Sequence, residues 1–261
     1  MKILFIGDII GKYGRRIAEA CIPSLSREYL PDIIIANGEN SAHGYGITEK
    51  VYKELMDMGI DVITMGNHIW DKKEIAKSIE KFPNMLRPAN YPDIVPGKTF
   101  IFFEKNGSKL AVTNLLGRTF LPPMDCPFQA IEKLLPIIKK ETNLIIVDVH
   151  AEATSEKCAL GWLLDGKVSA VIGTHTHVMT ADERILPQGA AFITDVGMVG
   201  CMDSIIGMKK DQILRRFITQ MHDKFEPAEG GPGLFNAVFL EIDPASGKAT
   251  AIKRIAKIIE G

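Results

Sequence analysis

Five short apolar runs in this chain each lead directly into side chains that bind divalent metals, and this recurrence constrains the fold more than any other feature. Ile3 to Ile6 runs into Gly7-Asp8, and Asp32 to Ala36 leads to Gly38-Glu39-Asn40. Asp61 to Met65 runs into Gly66-Asn67-His68, and Leu144 to Val149 delivers His150. Val168 to Ile172 delivers Gly173-Thr174-His175-Thr176-His177. Continuous apolar runs of this length read as strands covered on both faces. Helical patterns separate the first three, at about Arg15 to Tyr29, Thr48 to Met58 and Asp71 to Lys81, with Thr48 placed to cap the second. Strands alternating with helices imply an α/β class with parallel strands and right-handed crossovers. In such sheets the ligand crevice lies beyond the carboxyl ends of the strands, so all five polar termini converge on one edge.

The remainder of the chain is less regular. Pro83, Pro88, Pro92 and Pro96 punctuate a loop region. Phe100 to Glu104 and Leu110 to Leu115 read as a hairpin turning at Asn106-Gly107. A helix spans about Cys126 to Lys140 with Pro136 inside it, and a strand covers Ala190 to Thr194. Ala237 to Ile242 and Thr250 to Ala256 flank Pro244-Ala245-Ser246-Gly247 as a second hairpin. Without repeats or a Gly/Ser linker, one domain over residues 1–261 is the economical reading. Either 155–169 or the proline-rich middle is the place for a small lid.

Composition excludes several classes. Hydrophobic residues make up 46% and charged residues 24% of 261, which is globular and not disordered. The net charge of −1 argues against bulk nucleic-acid binding. No apolar run approaches the ~18 residues of a membrane span. The N-terminal run is too short for a signal peptide and closes on Asp8. Cys21, Cys126, Cys158 and Cys201 are scattered without a C-x-x-C pair, which suits a reducing cytoplasm.

Taken singly, each strand-end residue has a structural reading, since Asp caps turns and Asn tolerates left-handed turns. Their convergence favours a metal site. Of six histidines, His68, His150, His175 and His177 follow strands. His43 sits in a Gly-rich loop beside the site as a candidate substrate contact, and His222 reads as structural on a surface helix. His175 and His177, two apart on an extended segment, would point the same way. The candidate ligands are Asp8, Glu39, Asn40, Asn67, His150, His175 and His177. A mononuclear catalytic zinc needs three protein ligands and water. Seven candidates suit two ions about 3.5–4 Å apart with a shared carboxylate, for which Glu39 is central. Gly7 to Gly14 lacks the spacing of a phosphate loop, and Tyr13 stands where Ser or Thr is required. Tyr45, Arg87, Asn90 and Asp195 are either pocket-shaping or local loop residues.

The order of these motifs resembles the calcineurin-like metallophosphoesterase superfamily, whose pattern is D-x-H, G-D, G-N-H, H and G-H-x-H. The chain departs from it at Ile10, Glu39 and Thr174. Those departures, with Glu39 to Gly44, Asn67 to Asp71 and Thr194 to Met198, resemble the bacterial YmdB-like subfamily over nearly the whole chain. The resemblance implies a four-layer α/β fold, a central β-sandwich flanked by helices. It implies a dinuclear centre, often of iron, with manganese or zinc also suited to these ligands. One ion would take Asp8, Glu39, Asn40 and His177, the other Glu39, Asn67, His150 and His175, with Asn40 substituting for the histidine absent at Ile10. His68 would protonate the leaving oxygen. The implied activity is a cytoplasmic phosphodiesterase acting on small cyclic nucleotides, converting 2′,3′-cyclic nucleotides to 3′-nucleotides and also acting on 3′,5′-cyclic AMP. Enzymes of this size often form symmetric homo-oligomers. The alternatives are a phosphomonoesterase or nuclease of the same superfamily, or a nucleotide-sensing regulator.

Overall fold

A computed structural model of the chain describes residues 1–260. The elements in order are β1 (Lys2–Ile6), β2 (Asp8–Ile9), α1 (Gly11–Tyr29), β3 (Ile33–Asn37), α2 (Glu49–Asp57), β4 (Val62–Thr64), α3 (Lys73–Ser78) and β5 (Met85–Leu86). Then come β6 (Phe100–Lys105), β7 (Ser108–Leu116), α4 (Pro127–Ile138), β8 (Leu144–His150), α5 (Thr154–Leu164) and β9 (Ala170–Thr174). The chain closes with β10 (Arg184–Ile185), β11 (Ala191–Ile193), β12 (Met198–Cys201), α6 (Lys210–Thr219), β13 (Gly233–Ile242) and β14 (Ala249–Ile259).

The continuous apolar strands do bury both faces, and successive residues serve different cores. In β1, Ile3 and Phe5 enter one cluster while Leu4 and Ile6 enter another. In β8, Ile146 joins the first of these, and Ile145, Val147 and Val149 face a third. A strand with two buried faces must lie between two layers. The strands accordingly form two stacked sheets, one of eight strands in the order β2-β12-β13-β1-β3-β4-β5 with β14 beyond β13, and one of six in the order β10-β11-β9-β8-β7-β6. Ile3, Phe5, Ile33 and Ile35 meet Val112, Ile146 and Ile172 between the sheets. Helices α1 and α2 cover one outer face, and α4 and α5 the other. This is the four-layer sandwich with helical flanks.

The crossovers are parallel within each half. β1, β3, β4 and β5 run parallel, as do β7, β8, β9 and β11. The late hairpin adds antiparallel β13 against β1. Thr48 caps α2 by accepting from the Val51 amide at 3.2 Å. The Asn106-Gly107 turn has both φ values positive, 51° and 75°, as a two-residue hairpin turn needs.

Helix α1 starts four residues before the expected Arg15, and the physical reason is packing. A methyl at Gly14 would overlap the Val199 carbonyl, so glycine lets the first turn lie directly on β12. The two short strands β2 and β12 pair Asp8 with Met198. Helix α6 ends at Thr219, so His222 lies beyond it on an exposed stretch instead of within a helix. Residues 155–169 do not form a lid, because α5 sinks Leu160 and Leu164 into the outer core. The proline-rich middle covers a different cleft, around Asn90 and Tyr91.

Candidate metal centre

The carboxyl ends of β1, β3, β4, β8 and β9 meet at one edge, where two fully buried carboxylates face three imidazoles. Asp8 hangs on the β2–β12 pair. Its amide donates to the Gly197 carbonyl at 3.0 Å, an approach that Gly7 permits because a methyl there would overlap that oxygen. Its Oδ2 accepts from the His175 amide at 3.2 Å, and Oδ1 lies 3.8 Å from His177 Nε2. Glu39 leaves β3 between these groups and the next. Its Oε1 lies 2.9 Å from His150 Nε2 and 3.3 Å from Asn40 Nδ2, and Oε2 accepts from the His68 amide at 2.9 Å.

Each imidazole has its outer nitrogen tied to an acceptor. His150 Nδ1 donates to Thr174 Oγ1 at 2.9 Å, and that hydroxyl donates onward to Asp148 Oδ1 at 2.7 Å. His175 Nε2 meets the Glu152 carboxylate at 3.0 Å, and His177 Nδ1 donates to the Ile206 carbonyl at 2.8 Å. A proton held on the outer nitrogen leaves the inner one as a lone pair. His150 Nε2 carries a second proton, directed at Glu39 Oε1 2.9 Å and His175 Nδ1 3.0 Å away, and must shed it to ligate, and His177 Nε2 lies 3.1 Å from Asn40 Nδ2. This is how metal-binding histidines are oriented. Inner-facing donor atoms of Glu39, His150 and His175 lie within 4.8 Å of one another.

Two further observations fit a cation. Asn67 Oδ1 is buried without a hydrogen-bond partner, and a buried orphan oxygen is costly unless something binds it. A methyl at Gly66 would overlap both Glu39 Oε2 and His150 Nε2, so the backbone leaves a cradle between them. Asn40 presently turns its NH₂ toward Asp8, Glu39 and His177. A carboxamide ligates through oxygen, so Asn40 must flip its amide to serve.

Charge within the cluster is concentrated on one pair. Burial opposes ionisation of Glu39, but His150 and then His68 outweigh it and hold the carboxyl down to about 2. Burial likewise opposes the His150 imidazolium, but Glu39, Asp8 and Asp148 push it up to about 9. Burial and the adjacent His150 charge press His175 down to about 3.

The loop bearing His175 and His177 is not the extended segment that the spacing suggests. Strand β9 ends at Thr174, and both histidines adopt positive φ, 100° and 66°. Their side chains therefore reach different ends of the cluster. Asp195 holds this loop. Its Oδ2 accepts from the Thr176 amide at 3.0 Å and from Lys157 Nζ at 2.8 Å, and its Oδ1 accepts from the Gly197 amide at 2.8 Å. Lys157 is buried and also donates to the Thr174 carbonyl at 3.0 Å. Asp195 thus acts behind the histidines and does not line the pocket.

His68 occupies a turn after β4, with Nδ1 2.8 Å from Asp71 Oδ2 and its ring edge-on to Tyr45 at 5.0 Å. It opens with Glu39, His175 and His177 into a cleft of about 560 Å³. Tyr45 lines this cleft, as does a wall contributed by residues 205–225. His43 does not line it. Arg87 and Asn90 are loop residues: Arg87 donates to the Pro88 carbonyl, and Asn90 pins the Leu116 backbone.

Sequence reasoning missed Asp148, Glu152 and Thr174 as supports. The signal was present, since residues two before and two after His150 share its face of β8 and its extension. Asp148 is moreover a carboxylate inside a strand that is otherwise apolar up to its closing His150.

The family model for YmdB-like protein matches residues 4–255. The chain belongs to the YmdB-like family. It is 53% identical over 255 residues, 98% of this chain and 96% of the relative, to a 2′,3′-cyclic-nucleotide 2′-phosphodiesterase of Bacillus subtilis. Among solved structures it is similar to a hypothetical protein from Thermus thermophilus, with TM-score 0.92, 41% identity and coverage of 99% of this chain and 100% of that one. It is also similar to a novel phosphatase from Mycoplasma pneumoniae, with TM-score 0.93, 37% identity and coverage of 100% and 94%. The Haemophilus influenzae NAD nucleotidase shares the fold alone, at TM-score 0.64 and 14% identity, covering 100% of this chain and 56% of that one. The chain is therefore an enzyme of the phosphoesterase class, and its family implies divalent metal ions. No helix among the described residues is long and apolar enough to cross a membrane.

Proposed function

We propose that this enzyme hydrolyses 2′,3′-cyclic nucleotides to 3′-nucleotides at a dinuclear metal centre, with 3′,5′-cyclic AMP as a secondary substrate. The observation that carries this reading is the set of three imidazoles whose outer nitrogens are all tied to acceptors beside two buried carboxylates. The full-length likeness to the Bacillus diesterase supplies the substrate class. Asp8, Glu39, Asn40 and His177 would hold one ion, and Glu39, Asn67, His150 and His175 the other, with iron the expected metal and manganese or zinc compatible. Two bound ions supply water made acidic enough to act at neutral pH and positive charge against the phosphoryl oxygens.

The chain's own residues do the rest. Buried Glu39 carries the negative charge that would attract the cations, and Asp8, whose carboxyl burial pushes up, would ionise fully beside them. His68 faces the cleft with Nδ1 anchored to Asp71, which leaves Nε2 to deliver a proton. When the 2′ oxygen leaves phosphorus, that proton neutralises the alkoxide and the phosphate stays on the 3′ oxygen. A positioned acid of this kind contributes about 10²–10⁴-fold. The four free cysteines agree with work in the cytoplasm.

The deciding experiment is elemental analysis together with turnover of 2′,3′-cyclic AMP, 3′,5′-cyclic AMP and p-nitrophenyl phosphate, on the wild type and on Glu39→Gln. About two metals per chain, release of 3′-AMP and loss of both in the variant support the proposal. Metal with monoesterase turnover only would move the reading to a phosphomonoesterase. A folded protein that takes up no metal would end it.

A further inference from the structure

The cleft beside the metal centre has two unlike parts. One is polar, formed by Glu39, Asn40, His175 and His177. The other is mainly apolar, formed by Ile206, Met208, Ile213, Phe217 and Phe225, with Arg216 and Gln220 as its polar members. Phe217 projects from α6 with 72% of its surface exposed, although it lines the cleft. Exposure alone is ordinary for an apolar side chain, but Phe217 differs from Ile94 and Phe120 in lining the cleft beside the candidate metal centre.

We propose that this apolar wall is the nucleobase subsite, with Phe217 as its stacking platform. The proposal rests on the cyclic-nucleotide reading and extends it. A 2′,3′-cyclic nucleotide has an anionic phosphate, a polar sugar and one flat apolar face, the base. The phosphate is drawn to the polar part of the cleft. The base then lies one sugar away, and the 205–225 wall is the apolar surface continuous with that position. Its volume of about 560 Å³ falls in the range of small-molecule sites. Stacking on an aromatic ring accepts every base, since each has a π-face, and removing the ring costs roughly 5- to 150-fold per base. The subsite therefore confers base binding without strict base identity, and favours purines through their larger face.

The neighbouring Ile218 provides an internal control. It is 80% exposed on the same helix but does not line the cleft. The test compares kcat/KM for 2′,3′-cyclic AMP with that for glycerol 1,2-cyclic phosphate, which carries the ester but no base. In Phe217→Ala the ratio of the two should fall roughly 5- to 150-fold, while Phe217→Tyr and Ile218→Ala keep the wild-type ratio. An unchanged ratio in Phe217→Ala overturns the subsite. An equal fall in Ile218→Ala also overturns it, because the effect would then belong to the helix and not to base contact. Calorimetric binding of 3′-AMP against glycerol phosphate reads the same residue without turnover. If the wild type hydrolyses neither cyclic ester yet binds 3′-AMP with the same Phe217 dependence, the diesterase reading fails and the subsite stands. If base-dependent binding is also absent, both fail.

Discussion

Gly66→Ala isolates the metal cradle from the rest of the fold. The added methyl would sit well inside contact with both Glu39 Oε2 and His150 Nε2. Ordinary carbon contacts lie at 3.5–4.0 Å, so one of these groups must retreat by about 1 Å. The Glu39–His150 separation is 2.9 Å, and both groups are buried with little room to yield. Metal ligands tolerate displacements of only about 0.2 Å, and a misplacement of about 1 Å costs on the order of 10²-fold in turnover. The expected result is therefore at least about 10²-fold weaker metal retention and a matching loss of diesterase activity. Gly66 does not hold a positive φ, so alanine adds no backbone strain of its own. The metal-free variant should keep its circular dichroism spectrum, with a loss of about 1–3 kcal/mol against the metal-free wild type from crowding the buried pair. Elemental analysis after desalting, with thermal melts of both metal-free proteins, makes the comparison. A variant that holds the wild-type metal complement would show that the cation does not lie between Glu39 and His150.

Four further outcomes follow from the same geometry. His68→Ala should lose about 10²–10⁴-fold in kcat while keeping its metal, and a purified variant that has lost metal would remove the general-acid role. Metal uptake must expel the His150 proton, which Glu39 holds up to about 9. Apparent affinity should therefore rise with pH through neutrality and level off near 9, as read by competition with a chelator, and a flat profile would contradict the ion pair. The folding linkage in the metal-free protein runs the other way. The raised His150 value contributes stability below its unfolded 6.5 that is lost as pH climbs through 9, while the depressed Glu39 value contributes above 4.5, so the pair stabilises most between 4.5 and 6.5. Lys157→Met should cost about 3–5 kcal/mol by stranding the Asp195 charge, and the double variant Lys157→Met/Asp195→Asn should recover part of that stability in denaturant titrations. Retained metal affinity in that double variant would show that Asp195 does not hold the histidine loop.

The strand ends were legible because chemistry and periodicity agree there. An apolar run that stops at Gly7-Asp8 or Gly66-Asn67 is ambiguous alone, but the recurrence is not, and Asp8, Glu39, Asn40, His150, His175 and His177 do contact one another. The two-sheet division was less legible. Alternate residues of β1 and β8 enter different cores, but the sequence is apolar on both faces and carries no mark of which layer each meets. Strands β2 and β12 escaped because they are short and are fixed by pairing across 190 residues of sequence, Asp8 with Met198, instead of by local pattern. The His175–His177 loop misled for a related reason. Two-residue spacing implies a shared direction only on extended backbone, and the positive φ values are imposed by Asp195 and Asp8, which are remote in sequence or in role from the histidines.

Ile206 belongs to two machines at once. Its carbonyl fixes the outer nitrogen of His177, and the residue forms part of the wall that runs from the candidate metal centre toward α6. The chain there turns through a positive φ of 46°, a posture with little freedom to adjust. A substitution that reshapes the wall for a new substrate will therefore tilt a candidate ligand as well, and a change in ion content will be felt by whatever rests against the wall. Substrate preference and metal preference in this protein are not separate dials, and selection for one will drag the other.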